Sequence, residues 1–160
     1  MTDAIFSRLQ ALLTARNASF EVLEHAPVYT SAEAAAVRGT SLASGAKALI
    51  CKADDQFAMI VLPADLKLNS KATRRARGWK SLRFATKEEV LALTGLTPGS
   101  IPPFGSLFGL ATFCDRRLGQ HESINFNAGD HARSMSLRYT DYVTVENPEL
   151  GTFGEWDGNA

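Results

Sequence analysis

Gly45-Ala46-Lys47-Ala48-Leu49-Ile50-Cys51-Lys52-Ala53 and Gln56-Phe57-Ala58-Met59-Ile60-Val61-Leu62, joined by Asp54-Asp55, form the stretch on which the fold turns. Two apolar runs of strand length on either side of two turn-forming residues read as a hairpin at the middle of a sheet. Two lysines interrupt the first run. An odd number of positions apart, they point to opposite faces, with Lys47 sharing its face with Leu49 and Cys51. Lys52, beside the turn, reaches water easily. Lys47 has apolar neighbours, so it is either a snorkelling, edge-protecting lysine or an ammonium held in a cleft for an anion or a carbonyl oxygen.

On the N-terminal side, Asp3 to Arg16 places Ile5, Phe6, Leu9, Leu12 and Leu13 on one helical face, with Thr2 as cap. A short strand over Phe20 to Glu24 ends at His25-Ala26-Pro27. Thr30-x-x-Glu33 is a capping box ahead of Ala34 to Val37, and Gly39 stops that helix. Beyond the hairpin, Ser70 caps a helix running to Arg77 with Gly78 as its stop, and Leu82 to Ala85 is a short strand. Thr86-x-x-Glu89 opens a helix that ends at Gly95. Further strands are expected over Leu110 to Cys114, Ser123 to Asn127 and Ser134 to Leu137, with a turn at Asp115-Arg116-Arg117 and a short helix near Thr140 to Val143. Residues 146 to 160 lose all periodicity and read as a tail, loosely packed through Phe153 and Trp156 or disordered. The domain is therefore expected to span 1 to 145.

Gly99-Ser100-Ile101-Pro102-Pro103-Phe104-Gly105 can be neither helix nor central strand. It reads as a tight connector, or as a rigid loop whose glycine N–H groups point in a fixed direction at something that approaches closely. From Lys71 to Arg83 the chain carries Lys71, Arg74, Arg75, Arg77, Lys80 and Arg83 with no acidic residue. Such a run is a solvated helix face or a phosphate-contact patch.

With 160 residues, 45% of them hydrophobic and 21% charged, the chain is sized for one domain with one sizeable core. Net charge is zero, so a polyanion would have to be met by a local patch. Cys51 and Cys114 stand far apart in apolar runs, as buried thiols do in a reducing compartment. No stretch approaches the roughly 18 apolar residues of a membrane span, and Met1-Thr2-Asp3 does not open a secretory signal. A cytoplasmic protein without membrane association is expected.

Standard catalytic motifs are missing. Gly105-Ser106-Leu107-Phe108-Gly109 lacks the nucleophile-elbow spacing, His25, His121 and His131 are not spaced as metal ligands, and no phosphate loop or dinucleotide fingerprint occurs. The expectation is that no cofactor and no metal is used. A lysine on a sheet, a rigid glycine-proline loop and a basic patch suit a hydrolase that uses ordered backbone groups without a covalent nucleophile.

Lys47 in Gly45-Ala46-Lys47-Ala48-Leu49, then Val61-Leu62-Pro63-Ala64-Asp65-Leu66-Lys67-Leu68, then Phe84 to Gly95 leading into Gly99-x-x-x-Pro103-x-Gly105, and finally Ile124-Asn125-Phe126-Asn127, resemble in that order the YbaK/ProX family. Its members are free-standing relatives of the editing domain of bacterial prolyl-tRNA synthetases. The resemblance spans roughly residues 20 to 145. It implies an α+β fold, a curved mixed and mainly antiparallel sheet with helices packed around it. It also implies hydrolysis of mischarged aminoacyl-tRNA, with Lys47 as the essential lysine and Gly99, Pro103 and Gly105 shaping the catalytic loop. Asn127, Thr30 and Ser100 are the candidate substrate contacts, and Lys71, Arg74, Arg75, Arg77 and Lys80 the candidate tRNA contacts. The implied partner is the 3′-terminal adenosine and acceptor stem of aminoacyl-tRNA, with a synthetase as a further one. Asn127 stands where some members carry a histidine, and Ala48 where others carry a polar residue, so alanine, serine and threonine all stay open as the amino acid removed. The rival readings are a non-catalytic tRNA- or synthetase-binding module and a small-molecule esterase.

Overall fold

In the computed structural model, which describes residues 2–158, the elements in chain order are α1 (Thr2–Ala15), β1 (Phe20–Glu24), α2 (Ser31–Arg38), β2 (Ala46–Ala53), β3 (Gln56–Pro63), β4 (Leu66–Leu68), α3 (Ser70–Arg77), β5 (Leu82–Phe84), α4 (Lys87–Thr94), β6 (Ala111–Asp115), β7 (Ser123–Asp130), β8 (Arg133–Arg138), α5 (Tyr139–Glu146), β9 (Glu149–Gly151) and β10 (Gly154–Trp156). The hairpin forms as read: Asp54 takes a φ of 51° and β2 pairs antiparallel with β3 from Ala53↔Gln56 to Ala46↔Pro63. This is the centre of a five-stranded sheet in the order β5-β2-β3-β6-β9, in which β3–β6 and β6–β9 are parallel. A three-stranded antiparallel sheet, β1-β8-β7, joins it through a bridge between Gly45 and Asn125. A two-stranded sheet pairs β10 with β4. The single α+β domain with a mixed sheet is thus the architecture expected. No described helix is long and apolar enough to cross a membrane.

Local chemistry sets the helix ends. Thr30 and Thr86 both form complete capping boxes, with Glu33 and Glu89, while Gly39 and Gly95 close their helices in the left-handed region. α3 departs from expectation by one residue: Asn69, still extended, is the cap, its Oδ1 accepting from Ala72 N–H at 3.0 Å, and Ser70 is already helical. The cap assigned to Thr2 concerns a side chain outside the described ones.

Two apolar cores lie on the two faces of the central hairpin. The larger takes Ile5, Leu9 and Leu13 of α1 together with Ile50, Met59, Val61, Phe104, Phe126 and Tyr142. The smaller takes Cys51, Ile60, Leu62, Phe113 and Phe153, with Trp79 and Leu82 packed against it. Even-numbered β2 residues serve the first face and odd-numbered ones the second, the alternation of a strand covered on both sides.

The C-terminal segment read as aperiodic is built into the sheets. β9 adds to β6, β10 adds to β4, and Phe153 between them is 2% exposed, edge-on to Phe113 at 6.2 Å. Trp156 stays in solvent, 66% exposed. What holds this segment is Asp115, expected in a turn and found at the end of β6 with no exposed surface. Its carboxylate accepts from Arg117 N–H, Nε and Nη2 at 3.0, 2.9 and 2.7 Å, and from the Phe153 and Gly154 N–H groups at 2.9 Å each. Burial pushes its pKa up, but Arg117 and these backbone donors outweigh that and hold it below the ordinary carboxylate value.

Candidate functional site

β5 pairs only with Cys51–Ala53 of β2, so the first half of β2 is an uncovered edge. Ala85 N–H donates to Ile50 O at 2.9 Å, so even-numbered peptide groups face away from β3, and those of Ala46 and Ala48 come next along the bare edge. A cavity of about 340 Å³ opens there, within the range of small-ligand sites. Its walls are α2 and its cap (Thr30, then Ser31, Ala34 and Arg38), the edge itself with Lys47, Phe84-Ala85, Val90 of α4, the segment Pro98-Gly99 with Ile101, and Asn127 of β7.

Lys47, Gly99, Thr30 and Asn127, named from the sequence, are therefore brought together. Lys47 is half-buried, and among the described residues its Nζ has no hydrogen-bond or ion-pair partner. Burial pulls its pKa down, offset in part by the more distant carboxylates of Asp157 and Asp65. Thr30 Oγ1 accepts from Glu33 N–H at 3.1 Å as the cap of α2. Lys52 lies elsewhere, 5.6 Å from the centre of the Phe57 ring.

Ser100, Pro103 and Gly105 do not line the cavity; they brace the loop from behind. Ser100 is 2% exposed, its hydroxyl donating to Thr97 O at 2.8 Å and its carbonyl accepting from Gly129 N–H at 2.8 Å. Tyr142 Oη donates to Pro103 O at 2.7 Å. Phe104 is fully buried, edge-on to Phe126 and Tyr142 at 5.7 and 5.1 Å. Gly105 N–H donates to Thr112 Oγ1 at 3.0 Å, and that hydroxyl donates to Glu146 at 2.6 Å. A Cβ on Gly105 would collide with Thr112 Oγ1 and stand 2.8 Å from Leu110 O. Of the two loop glycines, only Gly99 faces the cavity, at a φ of 91°. Among the described residues, the Gly99 and Ile101 N–H groups have no acceptor.

The five basic residues named as tRNA contacts lie outside the cavity, on or just after α3, whose neighbours Trp79 and Leu82 pack on the second face of the sheet. Arg77 is spoken for: it pairs with Glu149 and lies 4.9 Å over the Phe113 ring. Lys71, Arg75 and Lys80 are exposed. Two cavity residues escaped the sequence reading. Arg38, in the last turn of α2, carries no local sign of its role, because Asn127 and Ser134, to which it donates, stand 89 and 96 positions away. Tyr29 forms the rim, 73% exposed, its ring tilted against that of His131 at 4.8 Å between centroids. The thiols of Cys51 and Cys114 are buried and pushed up to about 12 by that burial, which makes them packing groups.

Residues 25–145 match the family model described as "Aminoacyl-tRNA editing domain". The chain is 35% identical over 151 residues to the multifunctional Ser/Thr-tRNA deacylase ProXp-y of Escherichia coli strain K12, covering 91% of this chain and 90% of that one. It is also 35% identical over 114 residues to the proline–tRNA ligase of Shouchella clausii, covering 69% of this chain and 20% of the ligase. The crystal structure of the hypothetical protein APE2540 superposes with a TM-score of 0.84 at 24% identity over 92% of this chain and 99% of that one, which shows a shared fold. With the family model matched over residues 25–145 and 35% identity to a relative covered almost end to end, the chain belongs to the aminoacyl-tRNA editing domain family.

Proposed function

We propose that this protein is a trans-editing deacylase that hydrolyses the ester bond of mischarged tRNA carrying alanine, serine or threonine, with the cavity on the β2 edge as its active site. The observation that carries this reading is that one cavity is lined by Lys47, half-buried and without a hydrogen-bond or ion-pair partner among the described residues, and by Gly99 and Ile101, whose N–H groups likewise have no acceptor among them. An aminoacyl ester is already activated, so the site needs to orient it, admit a water and stabilise the developing oxyanion. Water attacks the carbonyl carbon, a C–O bond forms, and the tetrahedral oxyanion is held by the Gly99 and Ile101 N–H groups. Its collapse breaks the ester C–O bond, the ribose oxygen of the terminal adenosine takes up the proton, and the free amino acid leaves.

Lys47 acts as a cation throughout, drawing the terminal phosphate or the carbonyl oxygen into the cavity. Pro103 and Gly105 hold the loop in shape, and Thr30 and Asn127 border the substrate. Selection by a second site is needed because a synthetase pocket cannot reject similar or smaller amino acids well enough by binding alone. The ProXp-y relative, by name a Ser/Thr-tRNA deacylase, supports small hydroxylated side chains within this set, and the match to part of a proline–tRNA ligase supports a role alongside a synthetase. Lys71, Arg74, Arg75 and Lys80 are proposed to meet tRNA phosphates, and the protein to work in the cytoplasm. The test is release of amino acid from a panel of mischarged tRNAs. Turnover confined to small residues is expected, whereas no turnover on any member would overturn the assignment.

A further inference from the structure

The polar end of the cavity contains a chain of hydrogen bonds whose directions are fixed by chemistry. Arg38 can only donate, so Asn127 must turn its Oδ1 toward Arg38 Nη2, at 2.9 Å. The amide nitrogen then faces the other way, where it donates to Gly99 O at 2.6 Å. A carbonyl can only accept, so both ends demand the same orientation, and a flipped amide would set NH₂ against guanidinium and oxygen against oxygen. Arg38 is itself aimed: its Nε donates to Ser134 Oγ at 2.8 Å. Ser134 Oγ lies 2.8 Å from His25 Nε2, and His25 Nδ1 donates to Ala26 O at 2.8 Å.

We propose that Arg38 is a positioning residue that fixes the glycine-proline loop through the side-chain amide of Asn127. Among the described residues no carboxylate pairs with its guanidinium, and burial pulls its pKa down to about 10. Keeping a half-buried cation without an anion is costly. A planar fork that donates to Ser134 and Asn127 at once is something neither lysine nor a neutral side chain supplies. Asn127 also stands where β7 breaks register with β8, at the irregularity between Asn127 and Asp130, and this brings Gly129 N–H to Ser100 O. The loop is thus tied to β7 by two bonds, at Gly99 O and at Ser100 O, and the Gly99 and Ile101 N–H groups, without an acceptor among the described residues, flank this pair of ties along the chain. With its two directed bonds already made, the amide of Asn127 acts on the loop first and on a substrate only through its second N–H. The expected effect on turnover rests on the deacylase reading; the bond to the loop does not.

The decisive variant is Asn127→Asp. It keeps an acceptor for Arg38, now a charged one, and loses the donor to Gly99 O. Arg38→Lys keeps the charge but cannot span both Ser134 and Asn127, and Arg38→Leu removes both hydrogen bonds. Two readouts are taken on the full chain: hydrogen exchange at the Gly129 and Met59 amides, and kcat and KM on seryl- and alanyl-tRNA. For Asn127→Asp, exchange at Gly129 should accelerate about tenfold, the equivalent of one lost hydrogen bond, while Met59 in the core is unchanged. kcat should fall between about 10-fold and 100-fold with KM within about threefold, since donors displaced by about 1 Å cost that much. Arg38→Lys should give an intermediate loss and Arg38→Leu one as large as Asn127→Asp. Wild-type exchange at Gly129 in both Asn127→Asp and Arg38→Leu would overturn the proposal. If the wild-type protein released no amino acid, the deacylase reading would fail, and the exchange measurement would still decide the role of Arg38.

Discussion

At the scale of single residues, Gly99 and Gly105 look alike in the sequence and differ in the structure. Gly99 holds a φ of 91° on the cavity wall with His131 Cε1 3.4 Å from where its Cβ would be. Gly105 has an ordinary φ and no room, with Thr112 and Leu110 closing on it. Gly99→Ala should therefore strain the loop by about 1 kcal/mol and displace its neighbouring donors, cutting kcat with a small loss of Tm. Gly105→Ala should act mainly on stability, costing about 1–3 kcal/mol by overpacking. Thermal unfolding measured beside turnover separates the two. If both variants lost activity in proportion to stability, Gly99 would be a connector. Neither difference is legible in Gly99-x-x-x-Pro103-x-Gly105, because φ and free space at a glycine are set by residues distant in the chain.

At the scale of elements, the hairpin, both capping boxes and the glycine stops could be read because each is dictated within a few residues. β9 and β10 could not, since three residues are too short to display a period and what holds them is Asp115, more than thirty positions upstream. This anchor has a pH signature. Asp115 has a folded-state pKa below its unfolded value of about 3.9, so its contribution is fully present above about pH 4 and is lost as pH falls through the folded value. Asp115→Asn should cost about 3 kcal/mol at neutral pH by leaving Arg117 and two buried N–H groups poorly paired, and should flatten the acid limb of the stability curve. Denaturant melts of both proteins from pH 7 down to pH 3 check this; an unchanged acid limb would refute it. α3 carries a different expectation. Neutralising Lys71, Arg74, Arg75 and Lys80, with Arg77 kept for its pairing to Glu149, should weaken tRNA binding and lower the log–log salt slope by about one for each phosphate no longer neutralised. Cleavage of a short aminoacyl-adenosine mimic should be unaffected. Equal effects on tRNA and mimic would make α3 a solvated face.

At the scale of the whole molecule, the site exists because β5 is too short to cover β2, and the bare edge is then walled by α2, α4, the glycine-proline loop and β7. Lys47 and the loop were visible in the sequence as an ammonium among apolar neighbours and a rigid Gly/Pro run. Arg38 was not, because its meaning depends on Asn127 and Ser134 across the fold. The central claim is that this edge cavity hydrolyses mischarged tRNA with Lys47 as its essential cation. The most direct test is the single-turnover rate of seryl-tRNA deacylation by Lys47→Ala, set against wild type and Lys52→Ala, with Tm recorded for all three. The account predicts a loss of at least about 100-fold for Lys47→Ala at near wild-type Tm, in line with removal of a preorganised charge, and no more than about a twofold change for Lys52→Ala. A Lys47→Ala protein that releases serine at the wild-type rate would contradict it.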